Sequence, residues 1–315
     1  MWRAKLSRHD REDAAQAHDV TALRALLAGI VDYAGLFPPA GLEMSTSVHN
    51  YAAYRASDEA WILGRFVVPV ARLDELSEAL IALGAQASPE WRLTAVAGAD
   101  VAADMDRIRA FTRQQQGQGR ARVDSLEAKL TSADAIERVA RQRDAACSVF
   151  VEIPQDADVP SLVAAVKRAN VNAKLRTGGV AAESIPSRES VVRFMRSCIS
   201  AGVPFKATAG LHHPVRAEYP LTYESGAPLG LMFGFLNVFL AAGFMRHGMS
   251  DADALELLDE RDAAALTATA TTIRWRAAVL DEAQLDELRS AVALSFGSCS
   301  FTEPVEELRA LALLS

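Results

Sequence analysis

The sequence predicts an α/β protein of the (β/α)8 TIM-type barrel class, and three observations carry that expectation. Short apolar runs alternate with helix-period segments from residue 64 to about residue 210, a rhythm that implies right-handed βαβ units and a parallel sheet. No GxGxxG or P-loop follows the early runs, which disfavours an open doubly wound sheet. Four neighbouring runs carry charge opposite their apolar residues, toward the C-terminal strand ends where barrel enzymes keep their sites.

In chain order, residues 11–29 read as an amphipathic helix with Leu23, Leu26 and Leu27 on its apolar side, within an N-terminal helical extension over 1–29. IVDYAGLFPPAGLEM is a short apolar strand ending in a Pro-Pro loop. Asp32 and Tyr33 there read as loop anchors in preference to site residues, because polar loop side chains often satisfy local backbone. Strands follow at 64–70, 91–98, 121–130, 147–154, 172–179 (NAKLRTGG) and 204–210 (PFKATAG), with helices between them. An eighth strand would close the barrel, and TIRW (272–275) and AVALSF (291–296) compete for it. The second is preferred, because GSCS and a capped helix start, SFTEPVEELRAL, follow it at once. TIRW then belongs to an insertion before the last strand. With no low-complexity linker and no repeat beyond the βα unit, residues 1–315 read as one barrel domain.

Composition narrows the function classes. A net charge of −7 argues against nucleic acid as a bulk partner, since such partners favour basic surfaces. Cys147, Cys198 and Cys299 are too few and too scattered for a disulfide framework or a zinc motif, so a reducing cytoplasm is expected. The N-terminal stretch MWRAKLSRHDREDAAQAHD is charged and lacks the apolar core of a signal peptide. The run PLGLMFGFLNVFLAAGFM (228–245) approaches membrane-spanning length, yet it holds Asn237, three glycines and a proline. It reads as a buried or subunit-interface helix, so no membrane is expected and 229–245 hints at a homo-oligomer.

Side-chain parity locates the chemistry. Residues two apart on a strand share a face, so Lys174, Arg176 and Gly178 oppose Ala173, Leu175 and Thr177. Lys206, Thr208, Gly210 and His212 oppose Phe205, Ala207, Ala209 and Leu211 in the same way. On the preceding strands Glu127 and Lys129 alternate with Leu126, Ala128 and Leu130, and Glu152 alternates with Val151 and Ile153. A buried lysine or arginine without a partner is costly, so the convergent set points to an anionic ligand or a tuned amine. Two lysines on adjacent strands disfavour each other's protonation, and burial adds to this. A lysine depressed in that way attacks a carbonyl as a free amine, with Glu127 or Glu152 to move protons. Gly178 and Gly179 after Arg176, and Gly297, Ser298 and Ser300 before the last helix, suit a backbone cradle for phosphate. Ser300 also reads as the cap of that helix.

KLRTGG and FKATAG, with FGSCSF further on, resemble the deoxyribose-phosphate aldolase family of Schiff-base barrels. The resemblance implies that Lys174 forms the imine, that Lys206 lowers its pKa, and that Gly178, Gly179, Gly297, Ser298 and Ser300 contact phosphate. It covers about 30 of the 315 residues. Arg176 stands where the family has a small residue, HHP follows the seventh strand, and the connection to FGSCSF is far longer. The family's mid-barrel aspartate has no counterpart unless Glu127 or Glu152 serves, and the two lysine roles can be exchanged.

The expected function is therefore a lyase acting on a small anionic carbonyl compound, expected to be phosphorylated, through a lysine imine and without a cofactor. One alternative is a metal-dependent lyase or isomerase in which His212 and His213, with the glutamates across the mouth, hold a divalent ion. Another is a non-catalytic protein that binds an anion through Arg176 and the glycine turns.

Overall fold

Eight parallel strands close into a barrel in a computed structural model that describes residues 21–115, 119–154 and 156–314. They are β1 (Val31–Tyr33), β2 (Leu63–Pro69), β3 (Trp91–Val96), β4 (Ala121–Lys129), β5 (Ser148–Glu152), β6 (Asn172–Arg176), β7 (Phe205–Thr208) and β13 (Ala293–Ser298). Each pairs in parallel with its neighbours, and β13 closes the ring between β7 and β1. The predicted fold class holds, and so does the preference for AVALSF over TIRW as the closing strand.

Helices cover the barrel: α1 (Thr21–Leu27), α2 (Met44–Arg55), α3 (Leu73–Leu83), α4 (Val101–Gln115), α5 (Ala133–Gln142), α6 (Val159–Arg168) and α7 (Arg188–Ala201). Only residues 21–27 of the helix expected over 11–29 are seen, because residues 1–20 lie outside the described residues. The starts of α5, α6 and α7 are set by Ser132, Asp158 and Ser187, whose side chains accept from backbone N–H groups three residues on. The outward strand faces supply the core: Ala173, Leu175, Phe205 and Ala207 are all fully buried beneath these helices. This is the parity expected from the sequence.

Between β7 and β13 the chain makes an excursion over residues 209–292. It contains the hairpin β8 (Ala217–Pro220) and β9 (Leu229–Met232), then α8 (Phe235–Arg246) and α9 (Asp251–Leu258). An antiparallel sheet of β10 (Leu266–Ala268), β11 (Thr272–Trp275) and β12 (Ala278–Asp281) follows, then α10 (Glu282–Glu287). TIRW is the middle strand of that sheet. The apolar run 229–245 is half strand and half helix, and every residue of α8 from Phe235 to Met245 is buried within the chain. The oligomer contact expected through 229–245 therefore has no exposed face on α8. Among the described residues no helix is long and apolar enough to cross a membrane.

The end of the barrel opposite the strand C-termini is closed by charge. Asp124, at an irregularity between β3 and β4, takes Arg65 and Arg92 at 2.6 Å each. The last helix, α11 (Thr302–Ala310), starts just beyond β13 at the open end, with Ser300 Oγ accepting from Glu303 N at 3.1 Å.

Candidate active site

Lys174 and Lys206 sit directly opposite each other in the β6–β7 register, and both side chains enter the barrel. The carboxylate of Glu127, on β4, lies between them. Its Oε2 is 2.6 Å from Lys174 Nζ and its Oε1 is 2.7 Å from Lys206 Nζ. Lys174 also meets Glu152 Oε2 at 3.0 Å, and Arg176 meets Glu152 Oε1 at 3.4 Å. On the other side Lys206 reaches Asp32 Oδ2 on β1 at 2.6 Å. Ser295 Oγ donates to that same oxygen at 2.9 Å, and the backbone N–H of Arg65 donates to Asp32 Oδ1 at 2.7 Å.

The result is one chain of alternating charge, Asp32–Lys206–Glu127–Lys174–Glu152–Arg176. Side-chain exposure rises along it without a break, through 0, 1, 5, 7, 16 and 48%. Asp32 and Lys206 form a sealed floor, and Arg176 is at the rim. Lys174 faces a cavity of about 350 Å³ at the open end, whereas Lys206 does not line it. Of the two lysines, Lys174 borders open space and Lys206 does not.

The electrostatics differ from the sequence expectation. Burial pushes Lys206 toward its neutral form, but Asp32 and Glu127 outweigh it and hold the ammonium above the ordinary lysine value. Burial likewise opposes ionisation of Glu127, yet Lys174 and Lys206 pull its carboxyl down to about 2. Glu152 is also held below the usual carboxylate range, against burial, by Lys174 and Arg176. A shared carboxylate stands between the two lysine nitrogens. Lys206 is therefore held as a cation, where burial beside a second lysine was expected to depress it. Asp32, expected as a loop anchor, is a fully buried member of the network.

At the strand ends the loops after β6 and β7 touch. A side chain at Gly178 would collide with the backbone of Gly210, which has φ +72°, so this approach needs glycine on both sides. The contact positions His212 over the cavity. Its Nδ1 is 3.2 Å from Ser298 Oγ and from Glu303 Oε2, and Cys299 Sγ lies at 3.9 and 4.0 Å from its two ring nitrogens. Tyr223 OH donates to Glu303 Oε2 at 2.9 Å and is 3.5 Å from Cys299 Sγ. Burial disfavours the imidazolium, but Cys299 and Glu303 raise His212 to about 9. Burial would also raise the Cys299 thiol, and His212, Tyr223 and the Ala40 backbone bring it below its ordinary value.

Several expected site residues lie elsewhere. Lys129, at the last position of β4, is exposed and does not line the cavity, since the strand has already passed the rim there. Gly179, Thr208 and Gly297 line it, whereas Gly178 packs behind on Gly210. Ser298 Oγ lies 3.2 Å from His212 Nδ1 and Ser300 Oγ caps α11, and neither residue is among those lining the cavity. His213 stacks on Tyr219 at 3.4 Å between ring centroids and pairs with Glu307 at 2.6 Å. The two histidines thus serve different carboxylates, and Glu127 and Glu152 are held by lysine. Among the described residues no group of three or more His, Cys, Asp or Glu that could hold a metal ion is found.

Sequence reasoning missed Asp32, Ser295, Cys299, Tyr223 and Glu303. A signal existed only for Asp32, which alternates with the outward-facing Val31 and Tyr33 in a three-residue strand.

No protein-family model and no curated protein matches the chain. Among solved structures it is similar to the tetrameric deoxyribose phosphate aldolase from Aeropyrum pernix, at 16% identity and a TM-score of 0.42, over 63% of this chain and 86% of that one. It is also similar to the lysine/ornithine decarboxylase from Vibrio vulnificus in complex with cadaverine, at 10% identity and a TM-score of 0.39, over 93% of this chain and 68% of that one. The first carries the name of the family that KLRTGG and FKATAG resemble.

Proposed function

We propose that the barrel is an aldolase-like lyase that acts on a small anionic carbonyl compound through an imine at Lys174. The observation that carries this reading is the difference between the two lysines. One amine faces a cavity with two carboxylates in reach, and the other is sealed beneath it as a fixed counter-cation.

The chemistry follows from the order of the charge chain. Lys174 yields a proton to Glu152, the partner nearer solvent, and its nitrogen attacks the substrate carbonyl carbon. The carbonyl oxygen takes up protons and leaves as water, giving the iminium. The iminium nitrogen then accepts the electron pair of the breaking carbon–carbon bond while a carboxylate takes the proton of the substrate's β-hydroxyl, which becomes the carbonyl of the released fragment; the enamine left on Lys174 is protonated at carbon and hydrolysed by water, which frees the amine. Glu127 stays ionised throughout, because Lys206 holds it from below, and it stabilises the iminium charge. Arg176 at the rim and the backbone around Gly179 are the groups for the substrate's anionic end. A phosphate there would be met by guanidinium and backbone amides.

Borohydride reduction in the presence of candidate carbonyl compounds, followed by peptide mass spectrometry, tests the reading. The expected adduct is on Lys174 and not on Lys206. An enzyme that turns substrate over yet yields no lysine adduct would remove the imine mechanism.

A further inference from the structure

Polarity in the cavity is divided by strand. The charged groups come from β4, β5, β6 and the end of β7. The side formed by β1, β2, β3 and the loop after β1 presents only Ala34, Phe37, Pro38, Val67 and Val96. Val96 is the register partner of Glu127, so it lies at the depth of the charged groups and faces the same interior. On the adjoining β13 side the described residues that line the cavity are Gly297 and Cys299, and neither Ser298 nor Ser300 is among them. A polyol or a terminal phosphate laid against this wall would lose water and gain no partner there, at a cost of roughly 1–3 kcal/mol for each such polar group.

We infer that the substrate carries an apolar arm, aryl or short unbranched alkyl, which lies along β1–β3 while its carbonyl meets Lys174 and its anionic group meets Arg176. This rests on the proposed imine for the substrate's orientation. It adds the class of compound: a carbonyl acid with a hydrocarbon tail, as in the longer 2-oxo acids. The cavity of about 350 Å³ has room for on the order of a dozen non-hydrogen atoms at about 30 Å³ each, which is an acid of that size.

The test is a homologous series of 2-oxo acids from pyruvate to 2-oxohexanoate, each titrated against the full chain with borohydride trapping. The readout is the concentration giving half-maximal Lys174 adduct. Straight-chain carboxylates from acetate to hexanoate, which lack the carbonyl, are titrated in parallel by calorimetry. The expected result is an affinity gain of about 3–4-fold per methylene in both series, from ~0.8 kcal/mol per buried CH₂ at 1.4 kcal/mol per tenfold. Val67→Thr and Val96→Thr, which keep side-chain shape, should flatten the gradient while pyruvate still forms its adduct.

Adducts on Lys174 with no dependence on chain length, or glyceraldehyde 3-phosphate competing better than 2-oxohexanoate, would overturn the apolar arm and leave the imine standing. A chain-length gradient among the carboxylates with no adduct from any oxo acid would support the wall and sink the imine. A flat response in both series would overturn the inference outright.

Discussion

Replacing Lys206 by methionine removes one charge from the barrel floor and almost no volume. The ammonium makes contacts of 2.6 and 2.7 Å to Asp32 and Glu127, and each is worth about 6 kcal/mol gross at an effective dielectric constant near 20. Dehydration of the buried ions returns much of this. The quantity that matters is the cost of leaving Asp32 with only the Ser295 hydroxyl and one backbone N–H, and Glu127 with Lys174 alone. Breaking a buried pair in this way costs about 3–5 kcal/mol. At roughly 2 °C per kcal/mol for a chain of this size, Lys206→Met should lower Tm by about 6–10 °C.

The pH dependence supplies the sign. Lys206 is raised, so its contribution is complete below the unfolded lysine value of about 10.4 and is lost as pH rises through the folded value. Glu127 is lowered to about 2, so its contribution is present above about 4.3 and is lost as pH falls toward 2. The gap in Tm between wild type and Lys206→Met should therefore be constant between about pH 5 and 10 and narrow at both ends. Adding Asp32→Asn removes the orphaned charge and should restore part of the loss, a coupling read by calorimetry of the four proteins in the cycle. A Lys206→Met protein as stable as wild type, or a double variant whose loss is the sum of the singles, would refute the alternating-charge account.

His212→Gln should cost stability at pH 6 and cost nothing above pH 9. The raised imidazole contributes fully below its unfolded value of about 6.5, and that contribution is gone once pH passes about 9; urea denaturation at the two pH values checks it. Iodoacetamide at neutral pH should alkylate Cys299 before Cys147, whose thiol burial pushes up to about 12, and before the buried Cys198. Peptide mapping at partial labelling reads the order, and equal labelling of the three would contradict the lowering of the Cys299 thiol by His212. Asn237→Leu should lower Tm by about 6 °C or more. Asn237 accepts from Arg216 N and donates to Leu257 O and Glu260 O at 2.8–2.9 Å, and about 1 kcal/mol is lost for each backbone group left without a partner.

How far the sequence could be read depended on what a strand's parity can carry. Parity gives direction, so it placed Lys174, Lys206, Glu127 and Glu152 inside the barrel. Capping logic separated AVALSF, which runs into a helix start, from TIRW, which turns back through Arg276 at φ +52° into β12. Parity says nothing about distance across a barrel. Glu127 and Lys206 come from strands that are not neighbours, and only closure of the ring brings their heads within 2.7 Å. The sign of the lysine electrostatics was therefore beyond local pattern, because it depends on a carboxylate arriving from the far side. Asp32 was obscured for a different reason: β1 is three residues long, too short for alternation to stand out from a loop. Cys299 and His212 are 87 residues apart and meet only because the chain returns to β13 after the long excursion.

The gradient of exposure along the charge chain bears directly on how such a site can work. If both lysines were equally wet, each would exchange protons with solvent, and neither would be distinguished as nucleophile or counter-ion. Here protons can enter and leave only at the Glu152–Arg176 end, while Asp32 and Lys206 at the floor are cut off from water. Lys206 is raised and sealed, so its charge would persist through the proposed imine cycle. Lys174 and Lys206 together hold Glu127 ionised, and Lys206 supplies the part that would not change in the proposed cycle. The carboxylate is then a constant electrostatic partner for a transient iminium, requiring no reorganisation when the charge appears. Barrel closure by β13 brings this about, because Ser295 on that strand anchors Asp32, and Asp32 in turn holds Lys206 on the axis.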